Sequence, residues 1–355
     1  MSDTRTVKLR RGLVTILGEP NAGKSTLLNA LVGQKIAIVT PKPQTTRNRI
    51  LGVAELKARK KGPGKPGRPA AQILLMDTPG VLAAHSGLDR RMLQDIHEAL
   101  ESRDVVLLVV DASARTPWDR AAHDEKVQHG SRPASRQAVV LDLLKDLEGT
   151  VFLVLNKVDL VEREKLLPLI AAWSERYKFD QVLPISATRP ASLGVLEDAI
   201  VAALPEGERY FPADQVTDQP ERFLVAELIR EKILLLTGQE IPYAAAVAVE
   251  RFEEPTEAQV KAAAKSGKPP VTRIAAAIFC ERASQKGILI GKQGAMLKRI
   301  GTEARHEIET MLGTRVMLEL FVKVERDWRD SNKFLDELDW RRQLEDLSVR
   351  PVLDE

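Results

Sequence analysis

Apolar and polar positions along this chain follow two different periods. Leu13-Val14-Thr15-Ile16-Leu17, Ile73-Leu74-Leu75-Met76, Asp104 to Asp111 and Val151-Phe152-Leu153-Val154-Leu155 are short, almost unbroken apolar runs. That is the pattern of strands buried on both faces of a parallel sheet. Arg49 to Leu56 and Val182 to Ile185 read as further strands. Between them, Ser25 to Val32 (Leu27, Leu28, Leu31), Asp89 to Ser102 and Gln137 to Leu147 carry helical spacing. Strand–helix alternation from Leu13 to Leu204 predicts an α/β domain, a mainly parallel sheet with helices on both faces.

The pattern changes after Leu204. Pro205 to Pro220 is rich in Pro, Asp and Glu and reads as a linker, residues 205–221. Arg222 to Leu236 has helical apolar positions, and Ala244 to Phe252 reads as a strand. Glu253 to Pro270 reads as a long exposed connection with a Lys/Ala-rich helical piece. Arg273 to Glu281 is a second strand, Ala295 to Met311 a helix after a glycine loop, and Met317 to Val324 a third strand. The expected organisation is a domain over 1–204, the linker, a smaller α+β domain over 222–330, and a tail over 331–355 with a short helix near Phe334 to Leu338.

Composition narrows the function classes. The chain has 355 residues, 44% hydrophobic and 29% charged, with Lys+Arg 53 against Asp+Glu 50 and a net charge of +3. Nothing global announces nucleic acid, so a basic patch must be local. The single cysteine, Cys280, excludes an internal disulfide and a cysteine-based zinc site. Met1 to Arg11 lacks an apolar h-region, and no apolar run reaches the ~20 residues of a membrane span.

The chemistry sits at the carboxyl ends of the predicted strands. Gly18-Glu19-Pro20-Asn21-Ala22-Gly23-Lys24-Ser25 fits the phosphate-cradling loop between a strand and a helix. Glycines let successive N–H groups face an anion, and the helix N-terminus adds a favourable dipole. Asn21 to Thr26 would line the phosphates, Lys24 would reach the β- and γ-phosphates, and the Ser25 hydroxyl would hold Mg²⁺. Asp77-Thr78-Pro79-Gly80 places a carboxylate for Mg²⁺ and a glycine N–H for the γ-phosphate. An ordinary turn is the plain alternative, and its spacing from the loop argues against it. Thr40 to Arg47 lies where a nucleotide-sensing switch would lie, and Thr46 or Thr45 would complete the metal shell, with Thr46 preferred. Asn156-Lys157-Val158-Asp159 is a base-reading signature: the Asp159 carboxylate matches the two donors of guanine. Asn156 would tie loops together, the Lys157 stem would cover the base, and a backbone N–H of Ser186-Ala187 would meet the 6-oxo group. His123 and His129 have no second ligand at metal spacing and read as solvated.

Gly291-Lys292-Gln293-Gly294, preceded by Ile290, is the G-x-x-G of a KH module, which grips about four nucleotides of a single strand. Lys292, Lys298 and Arg299, with Arg282, Lys286 and Arg305, form a candidate local positive patch. Ile288, Ile290 and Ile300 are either the wall of a base-binding groove or ordinary core. The Lys57 to Ala71 stretch is basic, and a solvated hairpin tip is preferred there to an RNA contact.

Taken in order, GEPNAGKS, PQTTR, DTPG, NKVD, ISA and ILIGKQG, with Phe211-Pro212-Ala213-Asp214-Gln215 and Asp218 to Arg222, resemble the Era family of bacterial GTPases over nearly the whole chain. The resemblance implies a Ras-like P-loop GTPase domain followed by a type II KH domain. It implies slow GTP hydrolysis with Mg²⁺, and catalytic roles for Lys24, Thr46 and Gly80. It further implies binding near the 3′ end of 16S rRNA and help in 30S subunit assembly, coupled to cell growth. The implied location is the cytoplasm, with peripheral association at the inner membrane, and a monomer is expected. Asn21 resembles the residue that holds K⁺ in related GTPases. Val81 stands where Ras-like enzymes carry a water-orienting glutamine, and the insertions at 57–71 and 112–136 are longer than the family's turns.

The expected mechanism is a switch. GTP and Mg²⁺ tether the Thr40 to Arg47 loop and Gly80, and hydrolysis releases them. Two alternatives are a GTPase whose second domain docks a protein or tRNA-modification partner, and an ATPase with an RNA-binding appendage.

Overall fold

The computed structural model describes residues 9–62, 67–80, 86–114, 136–238, 240–267 and 269–341. Val81 and most of the 112–136 insertion lie outside them. The chain divides into two compact units, one ending at Asp218 and the other starting at Gln219.

The first unit is built on a sheet ordered β2-β3-β1-β4-β5-β6. Its strands are β1 (Leu9–Gly18), β2 (Ile50–Leu56), β3 (Ala71–Asp77), β4 (Val105–Asp111), β5 (Thr150–Asn156) and β6 (Gln181–Pro184). Only β2 runs antiparallel to its neighbour in that path. The helices are α1 (Lys24–Val32), α2 (Gly87–Glu101), α3 (Arg136–Lys145), α4 (Arg163–Ser174) and α5 (Leu193–Ala203). Period-two alternation divides the strand side chains between two cores. Val14, Ile16, Leu107 and Val109 join Leu27, Leu28, Leu196 and Ile200 from α1 and α5. Leu17, Val106 and Leu108 join Ile96, Val140 and Trp173 from α2, α3 and α4. Helices therefore cover both faces, as the continuous apolar runs require.

The expected linker is fastened to this unit instead of spanning free. β7 (Glu206–Gly207) pairs with the start of β1. The N–H groups of Tyr210 and Phe211 both donate to the buried Gln72 side chain, at 2.8 and 3.0 Å. Val53 N–H donates to Val216 O at 2.8 Å. A polar, proline-rich composition conceals these anchors because they are backbone hydrogen bonds.

The second unit contains α6 (Glu221–Leu236), α7 (Ile241–Ala244), β8 (Ala246–Glu253), α8 (Glu257–Ser266), β9 (Val271–Cys280), α9 (Ala283–Ile290), α10 (Ala295–Leu312), β10 (Arg315–Val324) and α11 (Asn332–Leu338). Its sheet is ordered β10-β9-β8, antiparallel between β8 and β9 and parallel between β9 and β10. The first part of the tail belongs to this unit. Phe334 packs edge-on against Phe279 with ring centroids 4.8 Å apart, and Trp340 lies 6.0 Å from Phe223. Trp328, fully buried, donates to Ala244 O at 2.9 Å.

Candidate functional site: a nucleotide cleft and a glycine-hinged groove

Where β1 ends, the chain turns tightly around its own backbone. A Cβ on Gly18 would stand 2.3 Å from Val109 O, and one on Gly23 2.3 Å from the Asn156 side chain. Only glycine fits at either place. Asn21 and Lys157 also hold positive φ, at 65° and 62°. The loop opens into a cleft of about 430 Å³ lined by Pro20, Asn21, Lys24, Ser25, Thr26, Thr46 and Gly80 among others. Lys24 is buried there and donates to Gly18 O and Glu19 O at 3.1 and 3.0 Å. Burial lowers its pKa, opposed by the charges of Asp77 and Glu19.

Three oxygens converge beside it. The Ser25 hydroxyl donates to Asp77 Oδ2 at 2.6 Å, Thr46 Oγ1 donates to the same oxygen at 3.3 Å, and the two hydroxyls lie 2.8 Å apart. Asp77 is fully buried, its Oδ1 has no hydrogen-bond partner, and desolvation raises its pKa despite Lys24 and the two hydroxyls. A buried carboxylate with a spare oxygen beside two hydroxyls is a donor set for a hard cation such as Mg²⁺. Among the described residues no cluster of three or more His, Cys, Asp or Glu could hold a metal. The structure separates the two threonines: Thr45 Oγ1 lies 2.7 Å from Thr40 Oγ1 and donates to Lys42 O at 2.6 Å, within its own loop. Gly80 packs so closely on Pro20 that a Cβ would meet its backbone at 2.9 Å. The Asn21 side chain reaches the switch segment, donating to Pro41 O at 2.9 Å.

On the other side of the loop, Asn156 is buried and spans two segments. Its Nδ2 donates to Ala22 O and its Oδ1 accepts from Ala187 N–H, both at 2.9 Å. Lys157 Nζ donates to Asn21 O at 2.8 Å and pairs with Asp111 Oδ2 at 2.6 Å. Asp159 is exposed, and its carboxyl is held below the usual range chiefly by the Ser186 hydroxyl. One expectation needs correcting. Ser186 N–H donates to Ser192 Oγ at 3.1 Å and Ala187 N–H to Asn156, so neither is directed at a base. Both fasten the loop that positions Asp159.

Asp111 belongs to none of the sequence motifs, yet it anchors Lys157. Its other oxygen accepts from the backbone and hydroxyl of Ser113 at 2.9 and 2.6 Å. Asp111→Asn is expected to speed GDP release by roughly twofold to fivefold while kcat stays unchanged, the scale of a part-exposed ion pair. Stopped-flow dissociation of a fluorescent GDP checks this.

In the second unit, Gly291 (φ 72°) caps the end of α9 and α10 begins after Gly294 (φ 80°). A Cβ on Gly291 would meet Met296 N at 2.8 Å, so the loop must fold against the start of α10 without a side chain. Lys292, Gln293 and Lys298 line the loop and the first turns of α10, Gln293 being exposed. Arg299 is exposed but paired with Glu303 at 2.9 Å. Ile300 is fully buried and belongs to the core, whereas Ile288 is exposed and Ile290 half-buried. The groove beside Gly294, about 470 Å³, is lined instead by Leu297, Lys298, Gly301, Arg305, Leu318 and Leu320. Leu318 and Leu320 recur at period two on β10, a signal that places them on one face but not at a groove.

These features define a P-loop nucleotide-binding domain joined to a KH unit. Residues 13–157 match the family described as 50S ribosome-binding GTPase, and residues 240–329 match the KH domain. The chain is 43% identical to GTPase Era of Geotalea uraniireducens over 93% of its own length and 97% of the relative. It is 42% identical to GTPase Era of Heliobacterium modesticaldum over 91% and 94%. A solved structure of Era in complex with MgGDPNP and nucleotides 1506–1542 of 16S ribosomal RNA shares 36% identity, covers 94% of this chain and 99% of that one, and superposes with a TM-score of 0.76. A point variant of Aquifex aeolicus Era bound to GDP·AlF4⁻ matches equally well. The chain belongs to the Era family of GTPases.

Proposed function

We propose that the protein is a GTP-driven switch that binds the 3′ region of 16S rRNA through its KH unit and assists 30S subunit maturation. The observation that carries this reading is the convergence of Ser25, Thr46 and Asp77, which brings the switch segment, the phosphate loop and the strand end to one point. Mg²⁺ held by Ser25 and Thr46, with Asp77 behind them, would screen the phosphate charge there. Lys24 binds the terminal phosphates, Gly80 offers its N–H to the γ-phosphate, and Asp159 reads guanine. Loss of the γ-phosphate releases Thr46 and Gly80, and the freed segments change RNA access. The relative solved with MgGDPNP and a 16S fragment supports both ligands.

The experiment is direct. A fluorescent RNA matching the 3′ end of 16S rRNA is titrated with the protein carrying Mg²⁺ and either GDP or a non-hydrolysable GTP analogue. Binding that differs between the two nucleotides is expected; no binding in either state would overturn the reading. Within the cleft, Thr46→Val is expected to reduce kcat at least about tenfold and weaken Mg²⁺ dependence, while Thr45→Val stays near wild type. Steady-state hydrolysis against Mg²⁺ concentration separates them. Asn21 is a candidate support for K⁺ at the phosphates, so hydrolysis faster in K⁺ than in Na⁺ is expected.

No described helix is long and apolar enough to cross a membrane. A cytoplasmic monomer that associates peripherally with the inner membrane is the location this family membership suggests.

A further inference from the structure

The loop joining β2 to β3 is longer and more basic than a turn needs. Between Lys57 and Ala70 it carries Lys57, Arg59, Lys60, Lys61, Lys65 and Arg68 and no acidic residue. The structure shows that its base is built. Arg59 and Arg68 exchange both backbone hydrogen bonds at 2.8 Å. A Cβ on Gly67 would approach Lys61 N to 3.2 Å, so the two arms lie close together. Both arginines point back onto α5: Arg59 pairs with Asp198 at 2.5 Å, and Arg68 with Glu197 and Asp198 at 2.5 and 3.3 Å.

Charge is thus sorted along the hairpin. The two arginines meet carboxylates on α5 and fasten its base. Lys57, Lys60 and Lys61 are exposed, and none ion-pairs with another described residue. Like charges this close repel one another, and no acidic neighbour on the hairpin compensates them. A polyanion would. The hairpin carries no Leu, Ile, Phe or Trp that would enter a lipid interface, where basic surface elements ordinarily bury an apolar face.

We propose that Lys57, Lys60 and Lys61 on the described arm of this hairpin form a second RNA contact, on the GTPase unit, binding rRNA phosphates without reading sequence. The proposal rests on the RNA-binding reading above but uses different residues. Phosphate contacts release counterions, so each one steepens the salt dependence of binding by about 0.7 to 0.9 in log–log slope.

The test compares the full-length protein with its K57A/K60A/K61A variant. The probes are purified 16S rRNA, a four-nucleotide RNA long enough only for the KH clamp, and phosphatidylethanolamine–phosphatidylglycerol vesicles. The variant is expected to bind 16S rRNA with a salt slope shallower by roughly 2 units and about tenfold or more weaker near physiological salt. Its affinity for the short RNA and its GTP hydrolysis should match wild type. An unchanged slope on 16S rRNA would overturn the proposal: with vesicle binding lost, the hairpin serves a lipid surface, and with vesicle binding intact it is a solvated insertion. If wild type ignores the short RNA but its 16S binding still depends on these lysines, the hairpin contact stands and the KH reading fails.

Discussion

Asp159→Asn is expected to weaken GDP and GTP binding by roughly a hundredfold to ten-thousandfold and to create affinity for xanthine nucleotides. Guanine offers N1–H and a 2-amino group, two donors side by side, and the carboxylate offers two acceptors. Charge-assisted hydrogen bonds of this type contribute about 1.5–3 kcal/mol each. The asparagine amide keeps one acceptor and turns the other position into a donor, which then faces a donor of guanine. Xanthine carries a 2-oxo group there, so the altered pair is matched again. Asp159 is exposed and the Ser186 hydroxyl holds its carboxyl below the usual range, so the base contact is a charged one. The substitution should leave folding intact, because Asp159 is exposed. Displacement of a fluorescent GDP by GDP, XDP and ADP measures all three affinities. Undiminished GDP binding in the variant would remove the base-reading role. Protection of the wild type by ATP instead of GTP would favour the ATPase alternative.

The parts that were legible in the sequence are those whose residue types are dictated by one local geometry. Gly18 and Gly23 are forced by backbone and side-chain atoms that pass within van der Waals reach, and Asp77 and Asn156 end apolar strands whose period is unmistakable. Gly291 is of the same kind, since Met296 leaves no room for a Cβ. What escaped depends on distant pairing. The segment 205–218 looks like a linker because its anchors are backbone N–H groups meeting Gln72 and Val216 meeting Val53, and neither side advertises the other. Asp111 reads as the polar end of a strand until Lys157 is seen against it. Ile288 and Ile300 look alike in sequence, yet the period of α10 turns Ile300 into the core while Ile288 faces solvent. Trp340 lies in a polar tail and still packs on Phe223. Thr45 and Thr46 are adjacent and chemically identical, so only the fold of their loop tells which one reaches Asp77.

Gly294→Asp is expected to lower affinity for single-stranded RNA by about two orders of magnitude while GTP hydrolysis is retained. Gly294 holds φ 80°, a region where side chains cost about 1–2 kcal/mol, and aspartate is among the residues that tolerate it best. No atom lies within 4 Å of a Cβ built there, so the unit should stay folded. Its surface would change instead. A carboxylate would stand two residues from Lys292 and beside the groove lined by Leu297 and Leu320. RNA backbone approaching that loop would meet added bulk and a like charge in place of bare peptide. Gly294→Ala separates the two causes. It keeps the backbone strain and part of the bulk without the charge, so a loss of only a few-fold is expected. Electrostatic repulsion also predicts that high salt narrows the gap between the aspartate variant and the alanine variant. Anisotropy titrations with a short RNA at two salt concentrations, run beside phosphate-release assays, give every quantity required. Full RNA affinity in the aspartate variant would sink the clamp and favour the alternative in which this domain docks a protein. Loss of GTP hydrolysis together with RNA binding would mean that the damage is not confined to the RNA surface.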